Sequence, residues 1–163
     1  LKLEPDGFLG PRHYCYHPSL DIVYFSNEQG CSVSSYRLDP ALGTLSPLQT
    51  ISTVPEGFDG RNTCSQIQIT SVGNLLYVPN RGHNSMAGFT VDSSGILAAV
   101  GQVSTEAVPS AFSLDVTNNF LFAAGSASDR LAAYRVNGDT GAITLLDTYE
   151  VGKRPMEVLA IAF

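Results

Sequence analysis

The sequence predicts an all-β fold of the propeller type, built from three four-stranded blades and one closing strand. Three observations predict it. The first is a repeat of about 45 residues, the length of one propeller blade. The second is that each repeat reads as four short β-branched and aromatic runs with turn residues between them. The third is the absence of any sustained 3.6-residue apolar period, which leaves no candidate helix.

The repeat is visible in three rows. Tyr24-Phe25-Ser26-Asn27, Tyr77-Val78-Pro79-Asn80 and Phe122-Ala123-Ala124-Gly125 share one register, at steps of 53 and 45 residues. Tyr36-Arg37-Leu38-Asp39, Phe89-Thr90-Val91-Asp92 and Tyr134-Arg135-Val136-Asn137 follow at the same steps. Gly43-Thr44-Leu45, Gly95-Ile96-Leu97 and Gly141-Ala142-Ile143 form the third row. The surplus of the first step lies in TVPEGFDGR at 53–61, an insertion between units.

Taken in order, residues 1–9 read as the tail of a preceding blade. The first blade, 10–52, opens with a hairpin: Tyr14–His17 and Ile22–Phe25 are strands, and Pro18-Ser19-Leu20-Asp21 breaks them apart. The second blade covers 62–105 and the third 108–151, with first strands centred on Ile67 to Ile69 and Phe112 to Leu114. Second strands end at Asn27, Asn80 and Gly125, and third strands at Asp39, Asp92 and Asn137. The fourth strands are Leu48–Ile51, Ala98–Val103 and Leu145–Val151. Residues 154–163 repeat the first-strand pattern and supply the closing strand. Closed propellers use about 4–8 blades, and an open ring would leave apolar strand edges and blade faces in water. The chain 1–163 is therefore expected to be part of a larger ring, completed by a missing propeller half or by a second copy of itself.

Composition removes several function classes. Nine Lys and Arg against 15 Asp and Glu give a net charge of -6, which disfavours nucleic acid and anionic membrane as partners. No run approaches the roughly 20 apolar residues of a membrane-spanning helix. Cys15, Cys31 and Cys64 lack CxxC spacing and are odd in number, so they read as reduced thiols of an intracellular, cytoplasmic protein. Three dispersed histidines predict no metal centre. His17, before Pro18, reads as a turn residue. Neither a GxxxxGK phosphate loop nor a GxSxG elbow is present.

The candidate chemistry gathers on one rim. A hairpin places the start of its first strand beside the end of its second, so Arg12 and His13 emerge near Glu28. The equivalent turn of the second blade, Pro79-Asn80-Arg81-Gly82-His83, opens on the same face, and the insertion 53–61 should cover it. Two guanidiniums beside a carboxylate suit an anionic substrate whose reaction moves a proton: Arg binds carboxylate or phosphate by its fork, and Glu acts as acid or base. Glu28, Arg12 and Arg81 are the candidate catalytic residues, and His13, Asn80 and His83 the candidate substrate-binding ones. The same residues have a second reading, with Arg12 and Glu28 as a structural ion pair, His13 as a packed channel residue and 79–83 as a surface turn.

These motifs, GPRHYCYHP at 10–18, YFSNE at 24–28, LQTISTVPEGF at 48–58, LLYVPNRGHNS at 75–85 and VGKRPMEVL at 151–159, resemble the lactonase family of seven-bladed propellers. That family includes cycloisomerase-type 6-phosphogluconolactonases and fungal 3-carboxy-cis,cis-muconate lactonizing enzymes. The resemblance covers the C-terminal half of a typical member. From the muconate enzymes of that family it implies a site of two arginines, a glutamate and a histidine, without metal or nucleotide cofactor. Arg12 resembles the first arginine, Glu28 the glutamate and Arg81 the second arginine, while the histidine belongs to the N-terminal half. Gly125-Ser126-Ala127 departs from the pattern, so the third blade is expected to give no catalytic side chain.

The resemblance implies ring opening or closing on a small anionic lactone or carboxylate, with 6-phosphogluconolactone hydrolysis first and carboxymuconate cyclisation second. A reading of another class also stands: a propeller segment that binds or assembles, its site incomplete in the isolated chain.

Overall fold

The structure is a computed structural model that describes residues 8–161. Twelve strands form three antiparallel four-stranded sheets, each a simple meander. The first sheet holds β1 (Pro11–Tyr16), β2 (Ile22–Asn27), β3 (Ser32–Asp39) and β4 (Thr44–Ser52). The second holds β5 (Gln68–Ile69), β6 (Leu75–Asn80), β7 (Ser85–Val91) and β8 (Leu97–Ser104). The third holds β9 (Pro109–Leu114), β10 (Phe120–Gly125), β11 (Arg130–Val136) and β12 (Ile143–Glu150). Among the described residues no helix is long and apolar enough to cross a membrane.

The middle blade shows why the sheets stack as blades. Side chains alternate between the faces of a strand, yet every residue of β6 is buried. Leu76 and Val78 pack with Ile22 and Tyr24 of the first blade, and Leu75 and Tyr77 pack with Phe112 and Tyr134 of the third. Full burial of one such side chain contributes about 1.5–3 kcal/mol. Hydrogen bonds lock the same interfaces. Tyr24 Oη donates to the Gly95 carbonyl at 2.9 Å, and Tyr77 Oη donates to the Gly141 carbonyl at 2.9 Å. Gly95 has a φ of 80° and lies so close to Ile22 that an added Cβ would stand 2.0 Å from its Cδ1. The outer face of the first blade is different: Tyr14 and Tyr16 are 60% and 57% exposed.

Two expected strands differ from their sequence reading. The first strand of the second blade is reduced to β5 and an isolated bridge between Cys64 and Asn80. Pro79 explains the gap. Its carbonyl accepts from Ser65 N, and the N–H that would have served the same side is missing in proline. Residues 154–161 of the closing strand carry no strand pairing. Ala160 N donates to Ser113 Oγ of β9, so the segment lies along the first strand of the third blade. A first strand pairs with the second strand of its own blade, and no such strand follows within this sequence. The remainder of the closing strand, 162–163, and most of the proposed preceding tail, 1–7, lie outside the described residues.

Candidate active site

The hairpin β1–β2 brings Arg12 to Glu28 as expected. Pairing runs from Tyr16 with Val23 to His13 with Ser26, then shifts, so that Pro11 stands opposite Asn27. Arg12 occupies that irregularity, and a bulge of this kind re-aims a side chain at the end of a ladder. Glu28 follows β2 directly, its N–H held by the Gly10 carbonyl at 2.7 Å. Arg12 Nη1 donates to Glu28 Oε1 at 2.9 Å. Arg81, one residue past β6, donates through Nη2 to the same Oε1 and to the Cys64 carbonyl at 3.2 Å. Among the described residues Oε2 of Glu28 receives no hydrogen bond, and the side chain keeps 22% of its exposure.

The electrostatics follow from this geometry. Partial desolvation pushes the Glu28 carboxyl up. The hydrogen bonds and charges of Arg81 and Arg12 outweigh it together, and the group is held below its ordinary value. Glu28 is therefore a carboxylate at neutral pH, and can accept a proton but not donate one. His13 is lowered by burial first, then by the neighbouring Arg12 charge, with Glu28 opposing and Arg81 reinforcing. It stands as a neutral imidazole beside the trio.

The other expected positions separate. Asn80 is completely buried and its amide is saturated. Its Oδ1 accepts from Thr53 Oγ1 and Asn62 Nδ2, both at 2.8 Å, and its Nδ2 donates to the Thr53 carbonyl and Ser85 Oγ. Asn80 thus has no free polar atom for a substrate and instead ties the insertion to the turn that carries Arg81. His83 is half-buried, with Nδ1 at 2.8 Å from Ser85 Oγ and its ring edge-on to Phe58 at 4.9 Å. No hydrogen bond joins it to the trio among the described residues. The insertion does lie over this face, as Phe58 and Thr53 make clear. His17 is the turn residue expected, its Nδ1 accepting from Ser19 N and Leu20 N.

Two residues escaped the sequence reading. Asn62 Oδ1 accepts from Gly82 N at 2.9 Å and His83 N at 3.0 Å, clamping the turn. Arg61 shares with Asn62, Thr63, Arg81 and Gly82 a rim cleft of about 390 Å³. The one signal for either was their place at the end of the 53–61 insertion. All three cysteines are free, and burial pushes the Cys15 and Cys64 thiols up to about 12.

Three stacked four-stranded antiparallel sheets, with Arg12, Glu28 and Arg81 gathered at one rim, place the chain in the class of β-propellers. Within that class, the family described as "Lactonase, 7-bladed beta-propeller" matches residues 3–160, and the chain belongs to it. The chain is 37% identical over 150 residues to the 6-phosphogluconolactonase of Yersinia pestis (strain Pestoides F), covering 91% of this chain and 45% of that protein. It thus spans about half the length of the curated relatives it matches. Among the similar solved structures, two show the likeness. A Lactobacillus plantarum protein aligns with a TM-score of 0.90 at 28% identity, covering 95% of this chain and 46% of that one. The periplasmic gluconolactonase of Pseudomonas aeruginosa aligns with a TM-score of 0.84 at 29% identity, covering 90% and 41%. The relatives' names speak for lactone hydrolysis and lend no support to the carboxymuconate alternative.

Proposed function

We propose that the protein opens the lactone ring of a small anionic sugar acid by hydrolysis, with 6-phosphogluconolactone as the substrate. The observation that carries this reading is the asymmetric Glu28 carboxylate, with both arginines on Oε1 and, among the described residues, no partner on Oε2. Oε2 takes a proton from water as the oxygen attacks the ring carbonyl carbon. Arg12 and Arg81 then stabilise the negative charge that develops on the carbonyl oxygen. When the intermediate collapses, the ring C–O bond breaks and the proton on Glu28 passes to the leaving alkoxide. An anionic substrate also draws the guanidiniums away from Oε1, which raises the basicity of Glu28 when it is needed.

The incomplete ring supports completion by further blades. Gly43 and Gly95 are equivalent in the repeat. Gly95 meets Tyr24 and Ile22 of the preceding blade, whereas an added Cβ at Gly43 meets nothing within 4 Å. We read the remaining blades as part of one longer polypeptide, in keeping with the relatives' length, and the protein as cytoplasmic, in keeping with its free thiols. The test is an assay of 6-phosphogluconolactone opening by the intact protein from its source. Turnover above the spontaneous rate that is lost in Glu28→Gln is the expected result. No turnover in the well-folded protein would sink the reading and leave a binding module.

A further inference from the structure

We infer that the cleft between Arg61 and Arg81 is a separate anion subsite that receives the phosphate group of the substrate, away from the reacting ester. The cleft holds about 390 Å³ and is lined by Arg61, Asn62, Thr63, Arg81 and Gly82. Two of those five residues are arginines, on a chain whose net charge is -6. Local acids do not neutralise Arg61. Glu56 and Asp59 share its loop, but among the described residues neither forms an ion pair with it; the ion pairs there are Arg12 and Arg81 with Glu28, and Arg130 with Glu106. Arg81 is the link to the reaction, since its guanidinium holds Glu28 and the same residue borders this cleft.

The backbone around the cleft is built rather than loose. Gly82 passes so near Arg61 that a Cβ there would stand 1.9 Å from the Arg61 carbonyl oxygen. Arg81 N donates to the Thr63 carbonyl at 2.9 Å, and Asn62 Oδ1 takes the N–H groups of Gly82 and His83. The Arg61 and Arg81 backbones are thus fixed relative to each other before any ligand arrives, so little ordering is lost on binding. Paired guanidiniums present forked donors that match the oxygens of a phosphate dianion. The subsite separates labour. Arg61 holds the remote phosphate, Arg12 and Glu28 face the ring, and Arg81 stands between the two.

The choice of phosphate rests on the lactonase reading; the test does not depend on turnover. Calorimetry on the intact protein compares binding of 6-phosphogluconate with binding of gluconate, which differ only in the phosphate. The expected ratio of affinities is about tenfold or more in favour of the phosphorylated acid. Arg61→Ala should collapse most of that ratio, Arg61→Lys should restore part of it, and Arg61→Glu should push it to one or below. Arg37→Ala, an exposed charge elsewhere on β3, should leave it unchanged. If Arg61→Ala and Arg61→Glu both keep the wild-type ratio, the subsite is overturned even when lactone hydrolysis is observed. If the ratio collapses while no lactone is opened, the subsite stands and the hydrolase reading falls.

Discussion

At one position of the repeat the first blade carries Glu28, the second Arg81 and the third Ser126. Behind each sits the last residue of a second strand, Asn27, Asn80 or Gly125. The two asparagines are buried and bind hydroxyls at the start of the next strand, Asn27 to Ser32 and Ser34, Asn80 to Ser85. Gly125 has no side chain to do so, and an added Cβ would meet Ser128 Oγ at 2.3 Å. Ser126 then closes on its own blade, with Oγ 2.9 Å from Ser110 Oγ. The comparison teaches that the pleated framework is common to all three blades. A buried amide that braces the turn goes with a charged residue just after it, and where the brace is missing that position holds the uncharged Ser126.

The largest effect should come from removing the charge itself. Glu28→Gln keeps the shape and takes away the base, so kcat/KM for lactone opening should fall about 10²–10⁴-fold. Ser126→Ala in the same assay should leave kcat/KM at the wild-type value. Equal losses in the two variants would erase the distinction between the blades. Next is the brace. Asn80→Ala strands Thr53 Oγ1 and Asn62 Nδ2 without their acceptor, and should cost about 2–3 kcal/mol in denaturant unfolding of the intact protein. A change within experimental error would mean that water or the loop replaces the amide.

The pH dependence sharpens the contrast further. Glu28 is depressed in the folded state, so its contribution to stability is present above the unfolded carboxyl value and disappears as pH falls through the folded one. The acid limb of kcat/KM for the free protein should follow, lying below the usual carboxylate range. Arg12→Ala removes one hydrogen bond and one charge that hold the group down, and should move that limb upward. A limb that stays in place would show that Arg12 does not set the ionisation of Glu28.

How much of this was legible depended on the range of the interactions. The tyrosine, aspartate and glycine rows carry the blades because each is set by local turn chemistry repeated in one chain. Arg12 and Glu28 could be brought together from the hairpin alone, since antiparallel pairing fixes which ends meet. Asn80 could not be read correctly. An amide in a polar turn looks the same in sequence whether it is exposed or saturated, and its partners Thr53 and Asn62 lie 27 and 18 residues upstream, in and just after the insertion. Arg61 was passed over as the last residue of an insertion, although Gly82, three residues before β7, allows the close approach that places it. Residues 154–161 repeat the first-strand pattern in sequence but form no ladder among the described residues, where Ala160 N instead donates to Ser113 Oγ.

The smallest effect concerns the clasp between blades. Tyr24 and Tyr77 each donate to a glycine carbonyl of the following blade, whereas the equivalent residue of the third blade is Phe122, which has no hydroxyl. Tyr24→Phe retains the buried ring and loses only that hydrogen bond, so unfolding of the intact protein should become easier by about 1 kcal/mol. Tyr77→Phe should cost the same, because its geometry and 2.9 Å distance are the same. The two clasps bridge different pairs of blades and share no partner, so the double variant should lose the sum. A loss well below that sum would mean that one broken clasp already loosens both interfaces and that the blades unfold as a unit. No loss at all would leave cohesion to packing alone, and Phe122 would then be a neutral choice rather than a weaker joint.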